Sequence, residues 1–218
     1  MTDLRVFVQQ DTLAAAGEKT RLAVKGSKMG YQIAIDFYTQ MVMEGRVYQV
    51  RAGTISVPAV GDIVLTDTAA EMCVDALVGT TIMPVYCNIS YNLAAEARPE
   101  AAGKSVATVS TVGAAFVPLN LKSDGPAANS TARVAETGGG ATGVTVTAET
   151  AATTLRHFSF SHAIAAGAWD TTYDWEPPSP PVLRGPRCFY IQVAAAATIG
   201  PAYYAHFDYI ELPTANVD

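Results

Sequence analysis

Charge is the scarcest ingredient of this 218-residue chain: Asp, Glu, Lys and Arg make up 16% of it, against 50% for apolar residues. Ordinary soluble domains carry about 25% charged residues. So little charge, beside so much Ala, Val, Thr and Gly, cannot solvate the whole surface of a monomer. Copies of the chain, or a partner, are therefore expected to cover part of it. Lys and Arg are also outnumbered, 14 against 20 acidic residues, which argues against general nucleic-acid binding, since that needs a basic field. Cysteine is limited to Cys73, Cys87 and Cys188, with no Cys-x-x-Cys pair. No disulfide framework is implied, a reducing assembly compartment fits, and each thiol reads as a small buried hydrophobe in a strand. No apolar run approaches the ~20 residues of a membrane span. The opening MTDLRVFVQQDTL lacks the apolar core of a signal peptide, so the expectation is a chain neither secreted by that route nor crossing a membrane.

Signatures of catalysis are equally sparse. The histidines are His157, His162 and His206. None forms the His-x-His pair of a cupin-type metal site, and a five-residue spacing puts His157 and His162 on opposite faces of a straight strand. Gly103-Lys104-Ser105 ends like a phosphate-binding loop, but Arg98 stands where the leading glycine belongs. There is no Gly-x-Ser-x-Gly elbow. The Gly138–Gly140 run has no strand–turn–helix setting and reads as a loop. Asn88-Ile-Ser90 and Asn129-Ser-Thr131 match the glycosylation sequon by chance. The sequence assigns no catalytic, cofactor-binding or metal-ligating residue.

What is present is strand pattern. Arg187–Leu212 reads as two long strands joined at Thr198-Ile199-Gly200-Pro201. Phe189, Ile191 and Val193 share one face of the first strand, and Cys188, Tyr190 and Gln192 the other. Tyr203, Ala205, Phe207 and Tyr209 then alternate with Tyr204, His206, Asp208 and Ile210. Period-two alternation of aromatic and β-branched residues marks strands, and the Gly-Pro corner suggests a hairpin.

Upstream, VYQVRAGTISVP, DIVLTDT and EMCVDALV follow one another as strands. In TTIMPVYCNISYN, Met83, Val85, Cys87, Ile89 and Tyr91 are expected to face the core, with Asn88 and Ser90 outward. Pro84, lacking an N–H, calls for a late start, a bulge or an edge there. AAEARPEAAGKS suits a short helix or crossing loop. KSVATVSTVG, AAFVPLNL, Ala132–Glu136, VTVTAET and TLRHFSFSH add further strands. AIAAGAWDTTYDWEPPSPPVLRGP reads as a long, Pro-rich exposed loop in which Trp169, Asp170, Asp174 and Trp175 are candidate binding residues for a sugar or Ca²⁺. Strands at ~8–12-residue spacing without repeated helices favour a sandwich, and long strands with long excursions favour a jelly roll.

Residues 1–46 differ from the rest. Through Arg51 there are 7 Lys/Arg against 5 Asp/Glu, and beyond it 7 against 15. An N-terminal extended arm, 1–46, is expected ahead of a domain at 47–218, with YQIAIDFYTQMVMEG fitting either helix or strand. Lys19, Arg21, Lys25 and Lys28 would dock on an acidic neighbour, or else form an ordinary solvated segment.

GTISVPAVGDIVLTDTAAEMCVDALVGTTIMPVYCNISYNL, a Thr/Gly/Ala-rich middle and a terminal YYAHFDYIELP strand together resemble the jelly-roll structural proteins of tailed bacteriophages. The resemblance covers roughly Val47 to Pro213 and rests on the order of segments rather than on an invariant motif. It implies an all-β, tumour-necrosis-factor-like jelly roll that assembles as a homotrimer on the virion, as a decoration, cement or minor capsid protein. The implied partners are sister copies and the major capsid protein, with no nucleic acid, membrane or cofactor. Candidate residues at the three-fold contact are Tyr190, Gln192, Tyr204, His206 and Asp208, the two faces of the strands being interchangeable at this stage. A receptor- or carbohydrate-binding tip is the rival reading, and a cupin-like metalloenzyme the next.

Overall fold

Residues 36–54, 56–92, 98–135, 143–161, 170–195 and 200–217 are described by a computed structural model. They form a helix, α1 (Phe37–Met43), and fifteen strands: β1 (Val47–Ala52), β2 (Ala59–Val60), β3 (Ala69–Ala70), β4 (Met72–Ala76), β5 (Thr80–Asn92), β6 (Pro99–Val106), β7 (Ala114–Phe116), β8 (Leu119–Asn120), β9 (Thr131–Val134), β10 (Val144–Thr145), β11 (Leu155–Ser161), β12 (Asp170–Trp175), β13 (Leu183–Arg184), β14 (Arg187–Ala195) and β15 (Ala202–Pro213). The fold is all-β. One sheet runs β12-β5-β15-β1-β8, with β13 added to β5 and β2 to β15; the other runs β11-β6-β14-β4-β9-β7. Every pairing within the two sheets is antiparallel.

The alternation read from the sequence sorts residues into layers. Phe189, Ile191 and Val193 of β14, Met72, Val74 and Ala76 of β4, and Tyr203, Ala205, Phe207 and Tyr209 of β15 fill the interior between the sheets. The hairpin expected of the last two strands does not form. β14 pairs with β4 and β6, whereas β15 pairs with β1 and β5 in the opposite sheet. Both strands bring a complete apolar face to the interior, so they pack across it, with the Phe189 and Phe207 rings edge-on at 5.4 Å.

β5 shows what Pro84 does. Its register against β15 shifts between Asp208↔Tyr86 and Tyr209↔Pro84, the bulge that a proline without an N–H was expected to introduce. A bulge also inverts parity. Ile82 before it and Cys87, Ile89 and Tyr91 after it all face the core. Met83 and Val85, expected inside, point to the other side and meet α1.

Three other expectations are corrected. Pro99–Gly103, expected within a helix or loop, instead opens β6, which lies between β11 and β14, where a ladder of small residues lets neighbouring strands and Phe158 approach. DIVLTDT is not a strand: Ile63 and Val64 are exposed, and Asp62 contributes an isolated bridge to Ala194. Asp170–Trp175 is not a loop but β12, the edge strand on β5.

Each sheet has a cover on its outer side. Over the second sheet, Ala70 of β3 and Val144 and Val146 from the β10 segment close on Cys73, Val106, Cys188 and Tyr190. Lys104 of β6 forms a buried ion pair with Glu149 there and donates to Gln192 Oε1 at 2.7 Å. Gln192 in turn donates to Ala69 O at 2.7 Å and to Thr66 O. Over one end of the first sheet lies α1, whose Met41 packs with Val47, Val85 and Ile210. Asp36 caps this helix, accepting from Thr39 N at 2.9 Å and Thr39 Oγ1 at 2.6 Å. Gly45, at φ +70, ends it in the left-handed region that glycine favours. Thus Phe37–Met43, grouped with the extended arm by its sequence, is a helix lying against the sandwich. Lys19, Arg21, Lys25 and Lys28 fall outside the described residues.

Gly103 tests this packing. A Cβ there would lie 2.1 Å from the Phe158 ring, itself held against Tyr173 and Trp175. Gly103→Ala should cost ~1–3 kcal/mol in denaturant unfolding, the usual range for overpacking. Gly143→Ala should be nearly neutral, since its Cβ would meet Ala70 O at an ordinary 3.5 Å.

Candidate functional site

Where the second sheet's outer face is closed by the β3 and β10 segments, no segment among the described residues covers a broad area of the first sheet beyond α1. Register brings its residues into three rungs. Tyr204 of β15 lies beside Ser90 of β5 and Thr172 of β12. His206 lies between Arg51 of β1 and Asn88, with Asp174 beyond. Asp208 lies between Gln49 and Tyr86. These positions alternate with the core residues, and that is why polar side chains gather on one surface.

The rungs are tied by hydrogen bonds. Tyr86 OH donates to Asp174 Oδ1 at 2.6 Å and Asn88 Nδ2 to the same oxygen at 2.8 Å. These two donors, Asn88 first, hold the Asp174 carboxyl below the ordinary carboxylate range. The bond to Asp174, more than burial, raises the Tyr86 hydroxyl to about 12. Gln49 Nε2 donates to Asp208 Oδ1 at 2.9 Å, and Tyr38 OH to Oδ2 at 3.3 Å. Burial pushes the Asp208 carboxyl up despite these donors. The Tyr86 and His206 rings stand 5.6 Å apart. Two clefts border the area. One, of about 450 Å³, lies between α1 and the Glu176–Pro180 turn, with Tyr38, Tyr86 and Asp208 in its wall. The other, of about 490 Å³, is lined by Gln49, Arg51, Thr54, Ser56, Tyr204 and His206.

Of the five residues expected at an intersubunit contact, Tyr204, His206 and Asp208 share this open face, the first two half-buried and Asp208 buried. Tyr190 and Gln192 do not join them. Both are fully covered by the chain's own β3 and β10 segments, because β14 belongs to the other sheet and turns that face under the cover. The Trp-containing site is also redistributed. Trp175 packs its indole 5.1 Å from the Phe158 ring and 6.1 Å from Phe189, in the interior. Asp174 points the opposite way, onto the open face, Asp170 opens β12, and Trp169 lies outside the described residues. Tyr86, Gln49, Arg51 and Thr172 are members of the face that sequence reading did not gather. The outward alternation of Asn88 and Ser90 was the available signal for the β5 row.

The arrangement offers amides, hydroxyls, one guanidinium and carboxylates across a sheet, which suits recognition by many weak contacts. In the Ser105–His157 pair, Oγ to Nε2 at 3.0 Å, Ser105 is fully buried and the half-buried His157 ring is tilted against Phe189 at 5.7 Å. No helix among the described residues is long and apolar enough to cross a membrane. Comparison with models of known families, with curated proteins and with solved structures gave no match.

At the far end of β15, Glu71 is buried with Tyr203 OH donating to it at 3.3 Å. Burial, aided by the Asp62 carboxylate, pushes its pKa up to about 8. The unfolded chain loses this proton near the ordinary 4.5, while the folded chain keeps it until about 8, so stability falls as pH rises between the two. Melting temperatures measured across this window should decline in the wild type. In Glu71→Gln the decline should be distinctly shallower; an unaltered slope would assign the effect to other carboxyls.

Proposed function

We propose that this chain is a virion structural protein: a homotrimeric jelly roll that decorates or cements a capsid shell, its residues 1–46 including the segment that docks on the major capsid protein. The strand order supports the jelly roll. Eight principal strands divide as β12-β5-β15-β1 and β11-β6-β14-β4, and apart from the step from β6 to β11 the successive strands from β4 to β15 switch sheets, with β1 and β15 side by side. Two four-stranded sheets wound in this way are the double Greek key of capsid jelly rolls.

The observation that carries the assignment is the inequality of the two outer faces. One is sealed by the chain's own β3 and β10 segments, and the other exposes Tyr204, His206, Arg51, Asn88 and Tyr86. A symmetric assembly has a use for one open, side-chain-rich face per subunit. Val57, Ile63 and Val64 are also exposed in the segments around β2, the short strand on β15. Such surface, in a chain with 16% charged residues, favours burial against sister copies. The carbohydrate-tip reading loses Trp175 from its indole platform, since that ring faces the interior, while Trp169 lies outside the described residues. The cupin-like reading gains nothing from His157, bonded to Ser105, or from His206, which stands on the open face without a second described histidine near it in register.

Light scattering of the purified chain should give three times its 22.9 kDa mass. Tyr204→Glu with His206→Glu, placing acids on the open face, should shift the mass to one copy with the β-sheet spectrum retained. Removing residues 1–35, which spares α1, should preserve the trimer and abolish binding to the particle. A folded wild type that stays monomeric at micromolar concentration would refute the assignment.

A further inference from the structure

The sealed face of the second sheet contains a cluster that the proposed assembly does not use. Cys73 and Asp75 lie two residues apart on β4, on one face, and Cys188 of β14 stands opposite Asp75 in register. The two sulfurs and a carboxylate oxygen of Asp75 all lie within 4.8 Å of one another, and all three residues are buried. Ser110, also buried, closes the group. Its N–H donates to Asp75 Oδ1 at 2.8 Å and its hydroxyl to Oδ2 at 2.6 Å, while the Cys73 thiol donates to the Ser110 hydroxyl at 3.1 Å. Asp75 is 2% exposed, and no ion pair among the described residues includes it. A carboxylate taken out of water without a cation is costly, and a cation at this point offsets that cost.

We propose that Cys73, Asp75 and Cys188 bind one thiophilic divalent cation of the Zn²⁺ class, as a structural centre joining β4 and β14 to the segment carrying Ser110. Tetrahedral zinc takes thiolate sulfur at about 2.3 Å and carboxylate oxygen at about 2.0–2.2 Å. Ligand atoms around it are then roughly 3.5–3.8 Å apart, a spacing the cluster reaches by small rotamer changes. Ser110 Oγ, bonded to both Cys73 and Asp75, is placed to serve as the fourth donor. On loading, four metal–ligand bonds form, two from thiolates, one from the Asp75 carboxylate and one from the neutral Ser110 hydroxyl; the two thiol protons leave to solvent and nothing is oxidised. The site then carries one net negative charge. Arg133 lies directly across from Cys73 on β9, with its Nε buried and without a hydrogen-bond partner, on the side where that charge develops.

A disulfide fits less well. Cys73 is opposite Tyr190 and Cys188 opposite Asp75, so the cysteines are diagonal neighbours. Diagonal Cβ atoms stand about 7 Å apart, against about 3.8 Å in a disulfide; a bridging cation spans the wider gap.

The full chain, unfolded and refolded with Zn²⁺ and then freed of excess metal, should retain one zinc per chain by elemental analysis. Cys87→Ser should retain it too, because Cys87 lies in the main core apart from the cluster. Cys188→Ser should retain less than a tenth as much. Refolding the wild type with Co²⁺ should produce the near-ultraviolet thiolate-to-cobalt charge-transfer band, a readout that needs no variant to fold. Folded wild type without retained zinc and without that band overturns the proposal. So does an intact mass two hydrogens lighter than the reduced chain, or zinc retention undiminished in Cys188→Ser.

Discussion

The contact of Phe189 with Phe207 sets the arrangement of everything else. Both residues are fully buried, on β14 and β15, and their rings meet edge-on across the interior rather than side by side in one sheet. Full burial of a Phe side chain is worth about 1.5–3 kcal/mol, and an edge-to-face pair adds roughly 0.5–1.5 kcal/mol more. β14 and β15 deliver their apolar faces to this one interior from opposite sheets. The chain between them then has to cross from sheet to sheet, and each sheet acquires the other's neighbours: β4 and β6 around β14, β1 and β5 around β15. Trp175, Phe158 and His157 complete the same aromatic layer.

Alternation made most of the layers legible, since a period of two separates faces whatever the strand pairs with. Both faces of β14 and of β15 were readable from Phe189–Val193 and Tyr203–Ile210, as were the apolar face of β4 and the outward Asn88 and Ser90. Pairing was not readable, because the same pattern serves a hairpin and two strands facing across a core. Pro84 announced a bulge, yet the inversion it imposes on Met83 and Val85 depends on the register with β15, which is a long-range property. The ambiguity of YQIAIDFYTQMVMEG resolves on a local signal that lay in plain view: Asp36 followed by Thr39 is an N-cap arrangement. Tyr190 and Gln192 were misplaced because their cover comes from β3 and β10, two-residue strands too short to show a period. The Cys73-Val-Asp75 spacing shows two side chains on one face, but the approach of Cys188 arises from sheet pairing across more than a hundred residues.

The two outer faces also differ in how their polar groups are satisfied. Under the second sheet's cover, Lys104, Glu149 and Gln192 are paired inside the chain, and the Gln192 amide fastens the Thr66–Ala69 backbone. Glu211, on β15, does the same at the other edge, accepting from Asn129 N, Asn129 Nδ2, Ser130 N and Ser130 Oγ at 2.6–2.9 Å. Buried polar groups of this kind cost several kcal/mol if left unpaired, so each acts as a latch that fixes one excursion in one position.

The open face is built on a different rule. Its carboxylates are tied mainly by neighbours in their own sheet, Asp174 by Tyr86 and Asn88 and Asp208 by Gln49, with Tyr38 of α1 as a second donor to Asp208. Side chains held in this way have already lost much of their rotamer freedom before anything docks, and less entropy remains to be lost on association. Arg51, Tyr204 and His206 stand among them as the types enriched at the centre of protein contacts or able to bridge polar and apolar neighbours. A surface prearranged in this manner and spread over four strands, β12, β5, β15 and β1, suits another surface of similar breadth. In the assembly we propose, its counterpart is a body as broad as itself, a sister subunit.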